Sequence, residues 1–101
     1  MLADADHTAM AILALRLVGR HVSLDRMIAE FEADTHFQTY KMDPNVSFCA
    51  NCNVLNALLH AEDPVEYTPQ IIKATTFLCK NWDAGEVKDK RVRSRVALVQ
   101  R

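Results

Sequence analysis

Ten consecutive residues, Ala9 to Val18, contain a single polar side chain, Arg16, and a run of that kind narrows what the chain can become. Coiled into a helix, it is apolar on nearly every side. Such a helix normally lies between layers of structure rather than on a surface. It has roughly half the length needed to cross a bilayer, so a membrane span is not expected. Asp4 and Asp6 precede the run and Gly19 follows it, which predicts a first helix from Asp4 or Asp6 to Val18, closed by a left-handed glycine.

The rest of the chain carries the same signals. Two glycines and three prolines in 101 residues, with half the residues apolar, exclude a β-rich fold and predict an all-α one. A second helix is expected from Ser23 to Ala33, with Ser23 as cap, a stripe of Leu24, Met27, Ile28 and Phe31, and Glu30 and Glu32 facing out. An ordered turn over Asp34 to Val46 should fold Phe37 and Tyr40 inward. The third helix is expected from Ser47 to about Ala61, before Pro64. The fourth should open with Thr68 as cap and Pro69 at its first position and end at Gly85.

Twelve basic and thirteen acidic residues nearly cancel, which excludes a general attraction to nucleic acid or anionic lipid. The exception is the stretch from Lys88 to Arg101, with six basic residues and one acid, read as a solvated tail because no aromatic residue is interleaved to stack on bases. The acidic start lacks the positive charge of a secretory signal, and three cysteines do not make a disulfide framework. Both point to an intracellular, cytoplasmic protein. Cys49 and Cys52 form a Cys-x-x-Cys, but zinc would need further ligands from Cys79, His36 or His60, none in a second paired motif, and no strand pattern precedes Cys49. Buried helix cysteines are the expectation, with no metal.

Several motifs, in order, carry a family resemblance. Asp4-Ala5-Asp6-His7-Thr8-Ala9 resembles the Asp-x-Asp-Asp-Thr-Ala signature of class II terpene cyclases, and Ser47-Phe48-Cys49-Ala50-Asn51-Cys52-Asn53-Val54-Leu55 resembles the Ser-Phe-x-Ala-Asn-x-Asn-Val-Leu segment of fungal diterpene cyclases. Phe31-Glu32, His36-Phe37 and Thr39-Tyr40 lie between them. Gln70-Ile71-Ile72, Phe77-Leu78-Cys79, Trp82 and Asp89-Lys90 follow. The likeness covers residues 4 to 90 and stops at Arg91. It implies a cyclase-like segment over residues 1–90, forming part of an α/α barrel, and a basic tail over 91–101 that departs from the family.

The resemblance implies proton-initiated cyclisation of geranylgeranyl diphosphate to a copalyl-type diphosphate. Family enzymes are several times longer, so the chain is expected to be inactive alone. A carboxylic acid can protonate an alkene only if it is kept protonated in a dry site and its conjugate base is then stabilised by donors. The family's middle Asp has that role, which the resemblance assigns to Asp6 as general acid, with Asp4 an orienting partner. His7 stands where the family has a further Asp, and a protonated imidazole there would favour ionised Asp6. Asn51 and Asn53 are candidates to contact the acids. The family also implies Mg2+ on the substrate diphosphate, held by residues outside this chain.

Each site residue has a plainer reading. Asp4 or Asp6 can simply cap a helix, Asn51 and Asn53 can be a locally bonded polar pair, and Phe31, Phe37, Tyr40, Phe48, Phe77 and Trp82 can be core rather than carbocation-facing rings. The rival to a cyclase segment is a non-catalytic helical remnant or interaction module that buries its first helix against a partner.

Overall fold

The computed structural model describes residues 4–85. The helices are α1 (Ala5–Leu17), α2 (Asp25–Phe31), α3 (Phe48–Leu59) and α4 (Thr68–Asp83), with a 3-10 helix over Pro64–Tyr67 leading into α4. The described residues contain no strand, and the one extended pairing is an isolated antiparallel bridge between Glu32 and Phe37. The fold is therefore all-α, as the composition requires. Asp89, Lys90, the break at Arg91 and the basic tail lie outside the described residues.

Helix α3 is the centre of the packing, with α1 on one side and α4 on the other. Its buried positions Ala50, Val54, Ala57 and Leu58 follow helical spacing, and Phe31, Phe37 and Met27 close the core from α2 and the loop after it. Each of these larger side chains contributes about 1.5–3 kcal/mol of burial. The predicted stripe on α2 holds: Leu24, Met27 and Phe31 are buried, and Ile28 packs against them.

Caps form where side chains can reach free N–H groups. Asp4 has extended backbone and accepts the His7 N–H, and Ser47 accepts the Ala50 N–H at 3.1 Å. Gly19 follows α1 with φ of +84°, the left-handed conformation that a side chain would strain.

Four local expectations are corrected. Thr68 is not a cap, because the 3-10 helix runs directly into α4; its hydroxyl instead donates to the Val65 carbonyl at 2.7 Å. Tyr40 is 54% exposed, since the inward position is filled by Phe37 and the chain turns away through Met42 at φ +67°. Glu32 does not face out. Its carboxylate meets the Lys73 ammonium of α4 at 2.7 Å, both half-buried, and Lys73 also donates to the Ala33 carbonyl. The cysteines are not a buried set, because Cys49 and Cys79 are exposed and Cys52 is half-buried.

Helix α1 departs most from its expected setting. Ala5, Ala9 and Ile12 are buried against α2 and α3, but Met10, Leu17 and Val18 on the opposite side are 54%, 88% and 74% exposed. One side of the apolar helix is covered. No described helix is long and apolar enough to cross a membrane.

Candidate active site

The first turn of α1 presents Asp4, Asp6 and His7, and each meets a different partner. Asp4 is the helix cap and is 7% exposed. One of its oxygens accepts the His7 backbone N–H at 2.6 Å, and the His7 ring Nδ1 stands 2.8 and 3.0 Å from the two carboxylate oxygens. The imidazole itself lies largely in solvent. Bonding to His7 holds the Asp4 carboxyl below its ordinary range, while bonding and attraction to Asp4 raise the His7 imidazole above its own. Each partner thus favours the charged form of the other.

Asp6, one residue from this pair and half-buried, is engaged from elsewhere in the fold. Its Oδ1 accepts a hydrogen bond from the Asn53 amide of α3, 47 positions away in sequence. The loop between α2 and α3 completes the frame, because the Ala5 N–H donates to the Thr39 carbonyl at 2.8 Å. Thr39 acts through its main chain, so side-chain chemistry gives no sign of the role.

Asn51 has a different job. It is fully buried, its Oδ1 accepts the Phe37 N–H at 2.7 Å, and its Nδ2 donates to the Phe37 and Ser47 carbonyls at 3.0 and 2.8 Å. All of its recorded bonds go to backbone. Of the two asparagines, Asn53 reaches the acids and Asn51 grips the loop beside them.

Among the described residues no group of three or more His, Cys, Asp or Glu side chains is arranged to hold a metal ion. Phe31 and Phe37 are sealed in the core, Phe48 packs on Trp82 with ring centres 6.3 Å apart, and His36 packs on Phe77 at 5.6 Å. A separate groove of about 700 Å³ runs between α4 and residues 34–36, lined by Ile72, Thr76, Phe77 and Lys80 among others; the acids are not part of it.

In sequence the chain is similar to a segment of proteins of one class, the fungal diterpene cyclases. It is 51% identical over 90 residues to the copalyl diphosphate synthase of Talaromyces verruculosus, a match covering 87% of this chain and 9% of that protein. It is 50% identical over 91 residues to the ent-kaur-16-ene synthase of Phaeosphaeria sp. (strain L487), covering 86% and 10%. A phyllocladan-16-alpha-ol synthase of Phomopsis amygdali is 46% identical over 89 residues, covering 86% and 9%. The chain thus spans about a tenth of the length of the curated relatives it matches. No family model matches it, and no solved structure gives a significant match.

Proposed function

We propose that this chain is the acid-bearing helical segment of a class II diterpene cyclase, and that Asp6 is the proton donor that starts ring closure. The substrate class is a polyprenyl diphosphate, specifically geranylgeranyl diphosphate, and the product a copalyl-type diphosphate. The contact between the Asn53 amide and Asp6 carries the reading. It occupies one carboxyl oxygen with a donor and leaves the other to hold the proton that passes to the terminal alkene carbon. After transfer, the same N–H stabilises the carboxylate, as this chemistry requires. Asp4, capping the helix, fixes the first turn on which Asp6 stands. Magnesium on the diphosphate would be held by residues beyond this segment.

The test places residues 4–85 into the corresponding segment of the Talaromyces verruculosus relative and measures cyclisation of geranylgeranyl diphosphate. Asp6→Asn should lower the rate at least about a hundredfold with the fold intact, because an amide supplies no comparable proton. His7→Asp should raise it, since a carboxylate in place of the imidazole favours a proton on the neighbouring carboxyls. Ordinary cyclisation by the Asp6→Asn chimera would overturn the assignment.

A second reading, a non-catalytic helical module, is favoured by two observations. His7 holds Asp4 as an anion instead of leaving a carboxyl pair to share a proton, and Met10, Leu17 and Val18 stand open for a partner. A chimera inactive with both His7 and His7→Asp, yet folded, would support it.

A further inference from the structure

The Cys-x-x-Cys lies on the helix that delivers the asparagines. Cys49 and Cys52 are free thiols three positions apart in the first turns of α3, and Cys52 lies between Asn51 and Asn53 in sequence. We propose that these two thiols form a thiol–disulfide switch whose closure pulls Asn53 away from Asp6. The consequence for catalysis rests on the acid-site reading above; the bond and its effect on Asn53 do not.

The geometry supplies the lever. Helical neighbours at this spacing hold their Cβ atoms about 5–6 Å apart, whereas a disulfide requires about 3.5–4.5 Å. A bridge must therefore tighten the turn. Asn51 resists that movement through its three hydrogen bonds to the Phe37 and Ser47 backbone, so the deformation passes to the less constrained Asn53. Its amide reaches Asp6 by a single hydrogen bond across two helices, and a small rotation of the turn breaks it.

The chemistry needs a small-molecule disulfide such as oxidised glutathione. The exposed Cys49 thiolate attacks one of its sulfurs, a mixed disulfide forms and one glutathione thiolate leaves. Cys52 then gives its proton to solvent and attacks the Cys49 sulfur, forming the Cys49–Cys52 bond and expelling the second glutathione. The protein pair loses two electrons and two protons, and the small disulfide is reduced to two thiols. Burial, and to a lesser extent the neighbouring Cys49, push the Cys52 thiol up to about 11. The second step is consequently slow at neutral pH and accelerates about tenfold for each pH unit.

The experiment treats the full chain, 15N-labelled, with oxidised glutathione, traps it by alkylation and reads peptide masses together with the Asn53 side-chain amide resonances. A glutathione adduct on Cys49 should form first. It should convert to a Cys49–Cys52 bridge lighter by two hydrogens, about tenfold faster per unit between about pH 7 and 9. The Asn53 amide signals should shift in the bridged form and return on reduction. Cys52→Ser should stop at the adduct with Asn53 unmoved, and Cys79→Ser should lose the separate adduct on Cys79 yet form the same bridge with the same Asn53 shift. An adduct that never closes, or a bridge that leaves Asn53 in place, overturns the proposal. A folded, reduced chimera inactive with both His7 and His7→Asp would instead sink the acid-site reading while leaving the mass and resonance results intact.

Discussion

Asn51 and Asn53 are two residues apart on α3, and on a helix that separation turns side chains by about 200°. They cannot both face the acids. The sequence pattern states the opposition but not its sense, which is set when Val54 and Leu58 choose the side of α3 that enters the core. The outcome predicts opposite phenotypes. Asn51→Ala leaves the buried Phe37 N–H and carbonyl without their partner and should destabilise the chain by about 2–4 kcal/mol in urea unfolding. Asn53→Ala should leave stability nearly unchanged, since the site is half-buried, yet strip the chimera of most of its cyclisation rate. Equal losses of stability in both variants would contradict this division.

The Asp4–His7 pair sets a pH window at the same scale. Asp4 titrates lower in the folded chain than in the unfolded one, so its contribution is present above the ordinary carboxylate range and is lost as pH falls through the depressed value. His7 titrates higher when folded, so its contribution is complete below the ordinary imidazole range and is lost as pH rises through the raised value. The first turn of α1 should therefore be best ordered between about pH 4 and 6.5 and fray on either side. Amide exchange at Thr8 and Ala9 against pH checks this, and His7→Ala should flatten the alkaline limb.

At the scale of elements, Asp4, Ser47 and Gly19 behave as local chemistry dictates, whereas Ser23, expected to cap the second helix, yields the cap position to Leu24 and accepts the Asp25 N–H from one residue further out. Expectations failed where the deciding partner is distant or of another kind. Glu32 turns inward because Lys73 arrives 41 residues later, and Thr68 loses its capping task to a 3-10 turn that the sequence pattern of Pro64–Tyr67 does not announce. The apolar run in α1, expected between layers, is covered on one side by the described residues. Met10, Leu17 and Val18 remain in water, so the isolated chain should self-associate. Leu17→Lys with Val18→Lys should lower that association in sedimentation measurements and preserve helicity, because neither side chain supports the described core. A double variant that associates as strongly as the parent would show that the contact lies elsewhere.

At the scale of the molecule, the loop between α2 and α3 divides into two parts with different fates. Phe37 and Thr39 are fastened, one by Asn51 and the other by Ala5, while Lys41, Met42, Pro44, Asn45 and Val46 beyond them are exposed. The bond from Ala5 to Thr39 stays with the first two helices, whereas the grip of Asn51 on Phe37 and the main embrace, α1 against α3, are made across the exposed arc rather than through it. Two local hydrogen bonds cross the Lys41–Met42 peptide bond, from the Met42 N–H to the Gln38 side chain at 2.7 Å and from the Asp43 N–H to the Tyr40 carbonyl at 3.0 Å, and the packing of α1 on α3 does not run through it. Two separately expressed pieces, residues 1–41 and 42–101, should find each other and restore the helical signal of the intact chain, with each piece alone far less ordered. A reporter domain inserted at the same bond should be carried without disturbing Asp6 or Asn53, which makes this arc the natural place to tag a longer cyclase.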